Sequence, residues 1–257
     1  MTRVALVTGA ARGIGAATVR ALADRGWAVL AVDRAKDDPT LPYPMGTETE
    51  LVSLTADRVA WHIADVRDLG SLEGAVASAE SRWGGLDVAI AAAGVIAGGV
   101  PQWEVPVEAE QTVLDVNLGG VANLARAAIP ALLRRPTPRT GRIVAVASAA
   151  ATRGLPSLAA YCAAKAGVTG LIRALAVELG GTGITANAVS PGSTDTAMLA
   201  ESARLYDLAG PQEFASGAPI GRLLDPAEVA SVIAFLAEGD RGGVTGAVVP
   251  VDGGLSL

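Results

Sequence analysis

Tyr161 and Lys165 stand four residues apart in a stretch of helical period, which sets them side by side on one face. A free phenol has a pKa of about 10 and is a poor base at neutral pH. An ammonium beside it, with the positive charge of a bound hydride acceptor nearby, favours phenolate and is expected to draw that pKa down, so that Tyr161 could take the proton of an alcohol. Lys36 and Lys165 are the only lysines, with arginine supplying every other positive side chain, so a lysine at this spot weighs more than usual. Ser148 closes an apolar run 13 residues before Tyr161, where its hydroxyl can hold a substrate oxygen towards the phenol. Asn117, in Asp115-Val116-Asn117-Leu118-Gly119, lies in a long helical pattern and can hold a water next to Lys165. The single histidine, His62, argues against a Ser-His-Asp relay, and no His/Cys cluster offers itself to a metal. Cys162, the only cysteine, permits no intrachain disulfide and reads as a small buried thiol on a helix.

A second group of residues fits a dinucleotide. Thr8-Gly9-Ala10-Ala11-Arg12-Gly13-Ile14-Gly15 follows an apolar strand pattern and opens a helical one. Glycines there allow a tight turn and let a pyrophosphate approach backbone N–H groups at the positive end of a helix. Asp33 ends the next strand, 20 residues beyond Gly13, the spacing of an acid that accepts hydrogen bonds from adenosine ribose hydroxyls. A 2′-phosphate would meet that carboxylate, which favours NAD over NADP, although the adjacent Arg34 could pair with a phosphate. Asp65-Val66 closes the third strand, where Asp65 can reach an adenine amino group or cap the helix beyond. Ala93-Gly94 ends the fourth and leaves room for a ribose; Pro191-Gly192-Ser193-Thr194 ends the sixth at the depth expected of a nicotinamide.

The elements that must position these residues alternate. Candidate strands at 4–7, 28–32, 59–63, 88–92, 143–147, 185–189 and 247–251 are separated by helical patterns at about 13–24, 69–83, 107–133, 157–179 and 226–237. Apolar strands without polar alternation, in a βαβα rhythm, predict an α/β fold: a doubly wound parallel sheet with helices on both faces, in one domain over 1–257. Two connections are long. Residues 34–58 are acidic and proline-bearing before a short helical run; residues 193–220 carry Met198, Leu199, Leu205, Tyr206 and Phe214. Both leave from carboxyl ends of strands, where ligands of open sheets bind, and are expected to be a cofactor lid and a substrate-binding loop.

With a net charge of −6 and no basic cluster, nucleic acid is not an expected partner; Arg134, Arg135, Arg139 and Arg142 read as a solvated loop before a strand. The chain enters a strand pattern at Val4 without a leader, and its longest weakly polar run, Val88–Val100, falls short of the roughly 18 residues needed to span a bilayer. No membrane partner and a cytoplasmic location are expected.

On these residues the sequence resembles the short-chain dehydrogenase/reductase family over essentially its whole length. TGxxxGxG matches at Thr8–Gly15, Ser then YxxxK at Ser148, Tyr161 and Lys165, PGxxxT at Pro191–Thr196, and the ending at Asp252-Gly253-Gly254. The resemblance implies a seven-stranded Rossmann sheet, NAD(P) as hydride carrier, Asn117 as fourth catalytic member and a homotetramer. It also implies that Lys165 binds the nicotinamide ribose and that Thr196 reaches the carboxamide. One departure is Ala91-Ala92-Ala93-Gly94, where the family has Asn-Asn-Ala-Gly; the asparagines mostly stabilise the sheet, so local hydrogen bonding should differ here. The insertion with Leu41-Pro42-Tyr43-Pro44 and the 91–99 stretch resemble the mycofactocin-coupled, carveol-dehydrogenase-like subgroup of actinobacteria. There the insertion is thought to retain the cofactor while mycofactocin re-oxidises it in place. The expected activity is interconversion of a small, largely apolar secondary alcohol and its ketone. A carbonyl reductase or alcohol dehydrogenase with freely exchanging NAD(H), a nucleotide sensor, and a lyase or epimerase without net redox are the alternatives.

Overall fold

The structure, a computed structural model, describes residues 2–257. Seven parallel strands, β1 (Val4–Thr8), β2 (Ala28–Asp33), β3 (Val59–Ile63), β4 (Val88–Ala91), β5 (Arg142–Val146), β6 (Thr185–Pro191) and β7 (Val248–Val251), form one sheet in the order β3-β2-β1-β4-β5-β6-β7. The helices are α1 (Gly13–Ala23), α2 (Glu48–Val52), α3 (Leu69–Trp83), α4 (Val107–Leu114), α5 (Gly120–Arg134), α6 (Ala159–Glu178), α7 (Ala197–Leu205) and α8 (Pro226–Ala237). Both faces of the sheet are covered, which is why β1, β4, β5 and β6 are buried throughout and mostly apolar rather than alternating. One core packs α3, α5 and α6 against one face; the other packs α1 and α8 against the opposite face. The chain leaves β3 at one edge and returns as β4 beside β1, so a crevice opens beyond the carboxyl ends of β1 and β4.

Three features depart from the sequence pattern. The long helical stretch is interrupted at Asp115–Gly119 by π-helical backbone, in which Gly120 N–H reaches the Asp115 carbonyl. Such a widened turn is common at functional positions, and Asn117 sits at its centre, fully buried. The 193–220 connection contains α7 and a 3₁₀ turn at Pro211–Gly217, and a bridge between Thr194 and Leu224 pinches its two ends together. Two helical stretches, Val107–Arg134 and Ala159–Glu178, are long and apolar enough to cross a membrane, but half or more of each lies buried against the sheet and its neighbours.

The reading of Arg142 as part of a solvated loop is corrected by its burial. It opens β5 with a side chain 1% exposed, donating to the carbonyls of Glu238 (3.1 Å), Gly141 (2.7 Å), Gly183 (3.3 Å) and Gly239 (2.6 Å). A planar fork of five donors can satisfy several chain ends at once, which no apolar side chain there could do. Arg135, half-buried, pairs with Asp87 at 2.8 Å; Arg139, also half-buried, donates to the Leu133 carbonyl at 2.9 Å, and Arg134 is exposed. Arg142→Met is therefore expected to lower stability by about 3 kcal/mol or more through the orphaned carbonyls. Urea unfolding followed by circular dichroism measures it, and a loss within error of zero would refute the clamp.

Candidate active site

A single cleft of about 720 Å³ runs along the carboxyl edge of the sheet. Gly9, Arg12, Gly13, Ile14, Gly15, Asp33, Arg34, Asp65, Val66, Ala93, Gly94, Ser148, Tyr161, Lys165, Pro191, Gly192, Thr194 and Thr196 all line it. Asn117 is not in the wall but directly behind it.

At one end, β1 turns into α1 through Gly9, whose φ of +67° and closeness to Ala93 exclude a side chain: a Cβ would lie 2.6 Å from the Ala93 backbone. A Cβ on Gly15 would collide with the Gly9 carbonyl. Among the described residues no side chain caps α1 and its first turn holds no acid. The positive end of the helix therefore faces an open backbone cradle, suited to a pyrophosphate. Asp33 accepts from the N–H groups of Ala11 and Ala35, each at 3.0 Å, which fixes its carboxylate at the tip of β2 and on the wall of the cleft. These groups and the cleft's size fit a dinucleotide.

The asparagines missing from 91–92 leave no gap in the hydrogen bonding at this junction. The Thr8 hydroxyl donates to the Ile90 carbonyl (3.4 Å) and accepts from Ala92 and Ala93 N–H (3.3 and 3.4 Å), tying the ends of β1 and β4 together. Asp65 does not cap α3; Asp68 does, accepting from Ser71 N–H. Both Asp65 oxygens instead bond to Arg67, and Arg34 lies 3.4 Å away. Burial pushes the Asp65 carboxyl up, but the bonds and charges of Arg67 and Arg34 outweigh it and hold the group low.

The insertion lies over this end as a strap. Arg12 donates to the Pro44 carbonyl (2.7 Å), Ile96 N–H donates to the Tyr43 hydroxyl (2.8 Å), and the Thr40 and Thr112 hydroxyls share a bond (2.8 Å). A Cβ on Gly46 would lie 3.6 Å from an Asp33 carboxylate oxygen, so the strap passes across Asp33 itself. Asp38 is its buried tie, 2.6 Å from Arg34 and 3.0 Å from Arg67. Burial opposes its charge, but bonds from Thr40 and Arg34 and the Arg67 charge hold the carboxyl down to about 2. Asp38, Gly46 and Arg67 were not anticipated from the sequence. Nothing in their spacing marks them, because the loop geometry alone brings them together.

Beyond Ala93, α6 presents Tyr161 and Lys165 together, with the ammonium 5.7 Å from the ring centre. Lys165 Nζ donates to the Val146 carbonyl at 2.8 Å, and Tyr161 Oη lies 3.9 Å from Met198 Sδ. Ser148 follows β5, where its Oγ accepts from Ala150 N–H at 3.1 Å. Asn117 donates to the Val95 and Val113 carbonyls, each at 2.8 Å. A Cβ on Gly94 would meet Asn117 Oδ1 at 2.9 Å and Lys165 Nζ at 3.7 Å, so the two polar groups converge over that glycine. Cys162 is half-buried rather than buried, and its thiol donates to the Arg153 carbonyl at 3.7 Å.

In the packing of the protein alone, burial rather than the neighbouring ammonium dominates at the phenol. Burial pushes Tyr161 up to about 12, with the Ser148 hydroxyl pulling weakly the other way. Burial likewise pulls Lys165 down to about 8. Desolvation disfavours both charged forms and is the largest cause at each.

Comparison with known proteins places the chain in a family. The family model described as Enoyl-(Acyl carrier protein) reductase matches residues 9–256. A cis-4-hydroxycyclohexanecarboxylate dehydrogenase of Sinomonas cyclohexanicum is 39% identical over 254 residues, covering 99% of this chain and 96% of the relative. The chain belongs to the short-chain dehydrogenase/reductase family. It is an oxidoreductase of that family. A (−)-trans-carveol dehydrogenase of Rhodococcus erythropolis is 35% identical over 273 residues, with 99% of this chain and 98% of that one covered. The crystal structure of a carveol dehydrogenase from Mycobacterium avium in complex with NAD superposes with a TM-score of 0.91 at 35% identity, over 98% of this chain and 97% of that one.

Lys165 gives a test with a definite sign. Below pH 8 the amine is charged in folded and unfolded chains alike, and the fold carries a desolvation cost of about 3 kcal/mol. That cost lifts between pH 8 and 10.5, where the unfolded chain binds a proton the folded chain has released. Stability relative to a Lys165→Met variant should therefore rise with pH. Thermal melts at pH 7 and 9.5 are expected to show the variant's advantage shrinking; a constant difference would contradict the buried, depressed amine.

Proposed function

We propose that this chain is an NAD-dependent dehydrogenase that oxidises an alicyclic secondary alcohol to its ketone, with Tyr161 as general acid/base. The observation that carries the reading is the convergence of Ser148, Tyr161 and Lys165 at one end of a cleft whose other end is an uncapped glycine cradle ending at Asp33. When bound, oxidised nicotinamide supplies a hydride acceptor and a positive charge beside the phenol. Gly9, Arg12, Gly13, Ile14 and Gly15 hold the pyrophosphate, Asp33 the adenosine ribose, and Asp65 and Val66 border the adenine. Ala93 and Gly94 leave room for the second ribose, which Lys165 holds, while Pro191, Gly192, Thr194 and Thr196 bracket the nicotinamide.

Ser148 orients the substrate oxygen, and Tyr161, as the phenolate that Lys165 and a cofactor's positive charge together would favour against burial, takes its proton at Oη. Lys165 keeps that proton mobile, with Asn117 behind it. NAD is favoured over NADP on two grounds. Asp33 would oppose a 2′-phosphate, and Arg34, the residue that might have welcomed one, is held by Asp38, the Asp37 carbonyl and Asp65.

The substrate end supports an apolar ring. Leu155, Leu158, Met198, Leu199, Tyr206 and Phe214 line it, and the relatives named above include enzymes of carveol and of a hydroxycyclohexane acid. The strap's ties to Arg12, Ile96 and Thr112 support a retained cofactor, with mycofactocin as the electron acceptor. Exposed Val107 (72%) and Val177 (81%) are available to contacts between copies in a homotetramer.

Tyr161→Phe should lower kcat by about a thousandfold while leaving NAD affinity within a fewfold; retained turnover would remove the proton role. Protein purified, dialysed and denatured is expected to release close to one NAD per chain. An empty protein that turns over with added NAD would leave the dehydrogenase standing and exclude retention.

A further inference from the structure

The substrate end of the cleft is closed by three segments: the 153–158 loop, α7 and the 211–217 turn. Its lining is mostly apolar, and Arg153 is the cation at its rim. The other cations on the cleft wall, Arg12, Arg34, Lys36 and Arg67, stand at the nucleotide end, and Lys165 lies beneath Tyr161 bonded to Val146. Arg153 Nη1 donates to the Leu255 carbonyl at 2.6 Å, and Leu255 lines the same space. Among the described residues no carboxylate lies within 4.0 Å of the guanidinium. Glu213 borders the cleft too, but its carboxylate accepts from Ala209 N–H at 2.7 Å and braces its own turn.

The backbone that carries Arg153 is held firmly beside the chemistry. Its N–H donates to the Ala149 carbonyl at 3.1 Å, and its carbonyl accepts from the Cys162 thiol, one residue after Tyr161. Three residues on, the Pro156 carbonyl accepts from the Tyr206 hydroxyl at 2.7 Å, joining this loop to α7. A guanidinium with one donor used and the rest uncommitted, at the rim of an apolar pocket, has the geometry to grip a planar anion with two parallel bonds. An alcohol without charge would gain nothing from it.

We propose that Arg153 recognises a carboxylate carried by the substrate at the end remote from the reacting carbinol, so that the substrate class is an alicyclic hydroxy acid. This rests on the dehydrogenase reading above and narrows it: the ring meets the apolar wall, the carbinol meets Ser148 and Tyr161, and the carboxylate meets Arg153. Specificity then comes from a charged contact at the rim, while the interior accepts the ring by shape alone.

The test uses two probes with one ring, 4-hydroxycyclohexanecarboxylate and 4-hydroxycyclohexanecarboxamide, assayed with added NAD or with an artificial electron acceptor. The wild type is expected to favour the acid by tenfold or more in kcat/KM, with the acid's KM rising as salt is added. Arg153→Gln should reduce the acid-to-amide ratio at least tenfold, mostly through KM, and Arg153→Lys should recover part of it. A wild-type preference for the amide, or an unchanged ratio in Arg153→Gln, overturns the proposal while leaving the dehydrogenase intact. Failure to oxidise either probe, or to reduce the corresponding ketones, overturns it together with the alicyclic-alcohol reading.

Discussion

Because all seven strands run parallel, every crossover must return to the same starting edge, and every carboxyl end is delivered to the other. The residues with chemistry to do sit on those ends or just beyond them: Asp33 on β2, Asp65 past β3, Gly94 past β4, Ser148 past β5 and Thr194 past β6. The alignment holds only if the strand ends are tied to one another, and here Thr8 does that between β1 and β4 with one hydroxyl. The glycine turn follows from the same junction, since Gly9 lies against Ala93 with no space for a side chain. Nucleotide cradle and sheet junction are thus one object, and a change that loosens one is felt in the other.

The reactive end is arranged against stability rather than for it. An amine and a phenol are buried together, 3% and 8% exposed, with burial working against the ionised form of each. A core built for stability alone would place two apolar side chains there. The neighbouring groups limit the loss: Val146 accepts from Lys165, and Asn117 fills its own hydrogen-bonding capacity on Val95 and Val113. The π-helical turn that carries Asn117 has the same character, giving up regular helix to set one side chain behind the cleft.

Much of this was legible in the sequence because it rests on local rules. Continuous apolar strands gave away a two-sided sheet, Gly9-to-Gly15 a helix N-terminus, and the four-residue spacing of Tyr161 and Lys165 a shared helix face. The departures arise where distant segments meet. Arg142 reads as one more arginine in a polar loop, and only the fold brings four carbonyls around it. Asp38 and Arg67 are unremarkable in sequence yet share one ion-pair cluster, because the strap folds back onto the end of β3. The burial of the phenol was hidden for a related reason: spacing reports which charges are neighbours, not how much water both have lost.

The pinch between Thr194 and Leu224 has a consequence for how such a protein can change. Leu224 N–H donates to Ser193, and Asp195 N–H to Leu224, each at 2.9 Å, so the excursion that carries α7 starts and finishes at one point on the sheet edge. A loop whose ends are already pinned can lengthen cheaply, each doubling adding only about 0.6 kcal/mol of closure entropy. Apart from Thr196, Met198 and Tyr206, which reach the site and its loop, residues between those ends can change in number while β6 keeps its place. The molecule thus separates an edge that carries its chemistry from a wall, pinned at both ends, that gives the substrate pocket its shape.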